Sequence, residues 1–255
     1  METSDSETTR NGENQNNERD LNLPSKYKHS EWEKRRRFLR FLLKHIGFNL
    51  LVKLDRVEGL ENIPKQGPAI FLINHIAFID PIVVIHVCPR EIVPMAKVEV
   101  YDYPVIGIFP KLWGVIPVRR EEVDRRAIQM AMEVLRAEET ILVAPEGTRN
   151  IELQRGKEGI AYLSSRSSAP IIPVAVQDTI GFPALRFSHR WREPGVYLKF
   201  GKPFSFDPAY SRAGREDLRK MADEAMYVLA SMLPEHLRGY YRDSSKATQE
   251  TIRWS

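Results

Sequence analysis

The stretch Ala69-Ile70-Phe71-Leu72-Ile73-Asn74-His75-Ile76-Ala77-Phe78-Ile79-Asp80-Pro81 decides how the chain is read. Its first five residues form an apolar run of the length of a buried strand. Its last two suit the start of a helix: Pro81 fits the first helical position, where a missing N–H costs nothing, and Asp80 fits the cap. A short strand thus delivers a histidine and then an aspartate at the mouth of a helix, which is how a reaction centre is built in an α/β sheet. Five residues apart, His75 and Asp80 share no face of a continuous helix, so a turn must bring them together. If Asp80 accepts a hydrogen bond from one ring nitrogen, the other nitrogen is left to take a proton. The competing reading of this stretch alone is a satisfied interior histidine beside an ordinary cap.

With 255 residues the chain can bury a substantial core as one α/β domain. Its formal charge is +4, but the segment through Asp20 holds six acids against two bases, and the remainder holds 36 Lys and Arg against 28 Asp and Glu. A basic body of this kind favours anionic partners such as phosphate groups, lipid headgroups or nucleic acid. Cys88 is the only cysteine, so neither an intrachain disulfide nor a cysteine-based zinc cluster is available, and a reducing compartment follows. The polar start is the opposite of a signal peptide, and residues 1–27 read as a disordered tail unable to bury enough apolar area. No uninterrupted apolar run approaches the ~20 residues of a membrane span.

Residues 28–54 read as a basic amphipathic helical segment. Glu33-Lys34-Arg35-Arg36-Arg37 leads into an apolar-rich helix broken by Lys44 and Lys53. Such a segment lies in a membrane interface with its arginines on anionic headgroups, packs on the domain, or does both. Beyond it, strands are expected near 56–59, 69–73, 92–96, 114–118, 140–144, 170–176 and 196–200. Helices are expected over 82–87, after a cap at Asp124, from Lys157, and over 218–232. The aromatic stretch 103–113 reads as core or as the wall of an acyl-chain site, and residues 239–255 as a C-terminal tail of little pattern. Strands interleaved with helices predict a single α/β domain over 55–238, with a mixed, largely hydrophobic sheet flanked by helices.

Several of these strands end in titratable side chains: His75 and Asp80, Lys97 and Glu99, Arg119 and Arg120, Glu146 and Arg149. In an open α/β sheet residues just past the strand ends converge on one crevice, so the placement points to general-base chemistry on a phosphate-bearing substrate. Salt bridges are the plain alternative for each cation. Signatures of rival chemistries are missing: no P-loop, no dinucleotide fingerprint, no Gly-x-Ser-x-Gly elbow and no His-Glu-x-x-His helix. The scattered histidines give metal catalysis no support, and no reading-helix pattern supports nucleic acid as a partner. His86 and Cys88, close together in an apolar run, read as buried rather than as a nucleophile and its base.

Asn74-His75-x4-Asp80, Gly114-x-Ile116-x-Val118-x-Arg120, Glu146-Gly147-Thr148-Arg149 and Ile172-Pro173-Val174 occur in that order. They resemble the four blocks of the phospholipid/glycerol acyltransferases, most of all the 1-acyl-glycerol-3-phosphate acyltransferases. With Lys97-x-Glu99 and Lys157-x-Gly159 the resemblance covers most of the span from Ile70 to Val176. It implies a glycerol-3-phosphate acyltransferase-like fold and transfer of a fatty acyl group from acyl-coenzyme A or acyl-carrier protein to the free hydroxyl of 1-acyl-glycerol-3-phosphate, forming phosphatidate. It also implies no cofactor, no metal, and a peripheral position on the cytoplasmic face of a membrane. Carried over by position, His75 is the general base and Asp80 orients it. Lys97, Arg120, Glu146, Gly147 and Arg149 form the phosphate site, with Asn74, Gly114, Thr148 and Pro173 in support. Pro117 stands where the family commonly has an aromatic or aliphatic residue. A different lysophospholipid or glycolipid acceptor, and a catalytically silent lipid-binding protein, are the alternative readings.

Overall fold

The computed structural model describes residues 29–104, 107–119 and 123–255; the polar segment 1–27 and Arg120 lie outside the described residues. The N-terminal part runs α1 (His29–Leu42), a five-residue π-turn (Leu43–Gly47), α2 (Phe48–Leu51) and β1 (Leu54–Glu58). Then come β2 (Ala69–Ile73), α3 (Asp80–Val87), β3 (Ile92–Lys97), α4 (Ile108–Trp113), β4 (Ile116–Val118), α5 (Arg125–Arg136) and β5 (Thr140–Val143). The chain ends with α6 (Gly159–Ser167), β6 (Ile171–Gln177), β7 (Val196–Phe200), β8 (Phe204–Phe206), α7 (Arg215–Ser231) and β9 (Ile252–Trp254).

The strands form one mixed sheet in the order β1-β7-β6-β2-β5-β3-β4, with β8 beside β6 and β9 beside β8. β2 lies between β5 and β6, parallel to both, and β3 is parallel to β5 and β4. β2, β5, β3 and β4 therefore run the same way, and their C-terminal ends open on one edge of the sheet. Every residue of β2 is buried, because helices cover both faces; that is why its sequence is continuously apolar rather than alternating. Ile70 and Leu72 pack towards α5, α6 and α7, whereas Ala69, Phe71 and Ile73 pack towards α3, Phe48 and Trp113. Asp124 caps α5 as its sequence predicts, its Oδ1 accepting from the Ala127 N–H at 2.9 Å. Pro117 sits in β4, an edge strand of the sheet path, where a residue without an N–H is tolerated.

The segment before β1 is helical as expected, but its basic lead-in does not all face outward. Arg36 is wholly buried: its Nε donates to the Trp113 carbonyl at 2.7 Å, and Nη2 reaches the Gly114 carbonyl at 3.5 Å. Trp32, one turn earlier, lies against Gly114, which holds φ +72°; a Cβ there would stand 2.5 Å from the indole. Glycine at 114 thus serves both a left-handed helix end and the docking of α1. Phe38, Phe41 and Leu42 on the same helix remain exposed, so α1 keeps one face on the domain and one free. In the stretch 103–113 only part is core: Trp113 is buried, its indole N–H donating to Ile92 at 2.8 Å, while Tyr103, Ile108 and Leu112 are exposed.

The residues read as a C-terminal tail add a strand to the sheet, β9 pairing antiparallel with β8. They are anchored by Glu224 of α7, a buried carboxylate that accepts from the Thr248 hydroxyl, the Glu250 N–H and both the N–H and hydroxyl of Thr251. Sequence periodicity does not register an anchor of this kind, because the donors are hydroxyls and backbone amides.

Replacing Arg36 with Met removes the donor from the Trp113 carbonyl and is expected to lower the unfolding free energy by about 2–3 kcal/mol, read from the urea midpoint at constant slope. An unchanged midpoint would mean that the buried guanidinium contributes nothing net to holding α1.

Candidate active site

β2 ends at Ile73, and the next side chain extends its ladder. The Asn74 amide donates to the Val176 carbonyl and accepts from the Val176 N–H, both at 2.8 Å, tying the end of β2 to β6. The chain then turns and His75 meets Asp80: Nδ1 lies 3.0 Å from Asp80 Oδ2, with the imidazole 14% exposed and the carboxylate fully buried. The same Oδ2 accepts the N–H groups of Ile76 and Ala77 at 2.6 and 2.7 Å. Asp80 is thus not the cap of α3 that its place before Pro81 implied. It is the first residue of α3, and its carboxylate turns back to close the loop 75–79. An acceptor already holding two amide protons makes Nδ1 the protonated ring nitrogen, so Nε2 carries the free lone pair.

Glu146 follows β5. It is nearly buried and accepts two backbone protons, from His75 N–H at 3.1 Å and Gln154 N–H at 2.8 Å. The His75 carbonyl in turn accepts from Asn150 N–H at 2.9 Å. The carboxyl's pKa is pushed up to about 7, chiefly by burial; the two amides oppose the shift and the Asp80 charge adds to it. Glu146 therefore fixes the backbone of the histidine turn. Asn150 and Gln154, which contribute only amide groups, carry no residue-type signal that a sequence could reveal. Gly147, at φ +72°, makes the turn after Glu146, with Lys157 packed over its Cα.

Among the cations, Lys97 pairs with Glu99 at 2.8 Å across a half-exposed contact, an interaction weak enough for a ligand to displace. Arg149 and Thr148 are exposed beyond the Glu146 turn. The Arg119 backbone N–H donates to Asp124 Oδ2 at 2.8 Å, and its neighbour Arg120 lies outside the described residues. Pro173 is buried in β6 opposite Leu72, where its carbonyl accepts from Gly201 N–H at 2.8 Å. Gly114 supports α1 rather than the histidine turn. His86 and Cys88 stand apart from this group: burial lowers the His86 pKa to about 4 and raises that of Cys88 to about 11, so neither is activated. Among the described residues no three His, Cys, Asp or Glu side chains group as metal ligands.

A cavity of about 760 Å³ lies beside the site, between the sheet and helices α5 and α6. Its walls include Met95, Ile128, Met132, Val143, Leu163 and Leu218, and Ala144, Gly147 and Lys157 also line it, so it adjoins the turn that carries Glu146. Among the described residues, none of the aromatic stretch 103–113 lines it.

Residues 55–177 match the family model described as Acyltransferase. A 1-acyl-sn-glycerol-3-phosphate acyltransferase of Borreliella burgdorferi is 33% identical over 130 residues, 49% of this chain and 52% of that protein. The Bacillus subtilis protein of the same name is 29% identical over 123 residues, covering 48% of this chain and 62% of that one. The chain spans about half the length of the curated relatives it matches. Among solved structures, the 1-acyl-sn-glycerophosphate acyltransferase PlsC of Thermotoga maritima superposes with a TM-score of 0.55 at 24% identity, over 88% of this chain and 84% of that one.

The raised pKa of Glu146 has a signed consequence. The folded value, about 7, lies above the ordinary 4.5, so the stability tied to this proton is fully present below pH 4.5 and is lost as pH rises through 7. A carboxyl carbon resonance assigned to Glu146 is expected to titrate near pH 7; a midpoint below 5 would contradict its buried environment.

Proposed function

We propose, from the match of residues 55–177 to the family model described as Acyltransferase, that the protein transfers a fatty acyl group from a thioester to the free hydroxyl of 1-acyl-glycerol-3-phosphate, giving phosphatidate. The observation that carries this reading is the 3.0 Å contact between His75 Nδ1 and a buried Asp80 oxygen that two backbone amides also hold. The imidazole is thereby fixed in one tautomer and one orientation, with Nε2 as the base. As Nε2 takes the acceptor's hydroxyl proton, the oxygen attacks the thioester carbonyl carbon. The tetrahedral intermediate collapses to an ester, and the departing sulfur takes the proton back from the imidazolium, leaving a free thiol. Asp80 stabilises the positive ring between the two transfers. The enzyme needs no covalent intermediate; holding two reactants together supplies much of the acceleration.

The acceptor phosphate is assigned to Lys97, Arg120 and Arg149. Arg149 is exposed, and Lys97 exchanges Glu99 for the stronger dianion. Glu146 and Gly147 hold the turn on which Arg149 and Thr148 stand, and Asn74 and Pro173 support the neighbouring strands, while Gly114 serves the docking of α1. The apolar cavity beside Gly147 suits an acyl chain. The donor is acyl-coenzyme A or acyl-carrier protein, with no cofactor. The partly free face of α1 supports work at the cytoplasmic face of a membrane; among the described residues no helix is long and apolar enough to cross one.

Thiol release from palmitoyl-coenzyme A, with product lipid measured in parallel, tests the reading against 1-acyl-glycerol-3-phosphate, glycerol-3-phosphate and an uncharged lysolipid. Turnover is expected to require the phosphate-bearing lysolipid and to fall by about 10²–10⁴ in His75→Ala. Arg149→Ala is expected to raise KM for the acceptor more than it lowers kcat. Transfer to another lysolipid would reassign the acceptor, and lipid binding without transfer from either donor would overturn the enzyme reading.

A further inference from the structure

A second cleft, of about 590 Å³, opens between the π-turn and the C-terminal end of α3. Arg40, Lys44 and His45 line it from the N-terminal helix and His86 from α3, and among the described residues no acidic side chain lines it. Arg40 is held in place by donating from Nη2 to the Cys88 carbonyl at 2.5 Å, which leaves guanidinium donors to spare. Lys44 and His45 form no ion pair among the described residues. His86 stacks on Phe48 at 3.7 Å with rings nearly parallel, and its pKa is lowered by burial and then by Arg40 and Lys44. Positive potential in the cleft is therefore already felt by a neighbouring group. The π-turn widens the helix along this wall, a distortion that recurs at functional sites.

The surroundings select the anion's carrier. Phe38 and Phe41 are 64% and 60% exposed and Leu42 is exposed beside them, and Phe41 itself lines the cleft. A free anion would use the cations and leave these apolar side chains in water. A phospholipid in a bilayer meets both, its phosphate at the cations and its glycerol and acyl region at the aromatic rings. We propose that this cleft seats the headgroup phosphate of an anionic bilayer phospholipid, with Phe38, Phe41 and Leu42 entering the interface alongside. The inference rests on the membrane-surface part of the reading above and is independent of the chemical step.

Sedimentation with phosphatidylcholine vesicles containing phosphatidylserine tests it on the whole chain. Lys44→Ala is expected to weaken binding at least about fivefold, the effect of one cation near a charged surface, whereas Lys34→Ala, exposed on the same helix but outside the cleft, changes it less than twofold. Phe41→Ser is expected to weaken binding to charged and to pure phosphatidylcholine vesicles alike, and His75→Ala to bind as wild type. Equal losses at Lys34 and Lys44 would overturn the cleft in favour of diffuse charge and leave the membrane reading standing. No binding to any vesicle would overturn both. Inorganic phosphate shifting the His45 and His86 ring resonances without lipid, in a Lys44-dependent way and at the same concentration of phosphate groups, would overturn the lipid assignment in favour of a soluble anion.

Discussion

One buried oxygen organises the site. Asp80 Oδ2 receives the His75 ring proton and the N–H groups of Ile76 and Ala77, so the same atom closes the loop and orients the base. A carboxylate with no solvent exposure is costly to leave without donors, and hydrogen bonds to a charged acceptor are worth about 1.5–3 kcal/mol each. The loop's shape and the ring's tautomer are therefore two results of one electrostatic demand. Only the short loop 75–79 separates the two side chains, and its geometry substitutes for the helical face that a spacing of five denies them.

Around this atom the supports are arranged in shells that reach successively further through the chain. Glu146 and Asn150 hold the His75 backbone from the β5 side, and the preceding residue, Asn74, is tied by its side chain to Val176 on the β6 side. The histidine turn is thus gripped by both neighbours of β2, which is the reason a central strand can present a loop residue with little freedom. Side chains bound to backbone atoms do most of this work.

Much of this was legible in the sequence for identifiable reasons. The apolar run of β2, the cap at Asp124 and the ends of the parallel strands are written in residue type and spacing, and the parallel order β2-β5-β3-β4 brings those ends to one edge as the α/β rule requires. What stayed hidden depends on direction. Asp80 before Pro81 has the pattern of a helix cap, and only the loop's path turns its carboxylate backwards. Arg36 sits in a run of basic residues that patterning assigns to a surface, yet it is the member that faces the domain. Glu224 and the strand it anchors were hidden because hydroxyls and amides leave no periodic trace. Lys97 was legible as a cation at a strand end, but not its engagement with Glu99.

The bond between Asn74 and Val176 spans 102 residues. At a synthesis rate of roughly 5–20 residues per second, the histidine turn leaves the ribosome roughly 5–20 s before the strand that completes its support. For the first part of that interval β2 has neither neighbour, because β5 (Thr140–Val143) is made before β6 (Ile171–Gln177), and its five apolar residues have no sheet to join. Closing so distant a contact carries the entropy of a long loop, which slows folding more than it weakens the folded state. The base and its aspartate are neighbours in sequence, but the support of the site they form cannot be completed until residue 176 has been made.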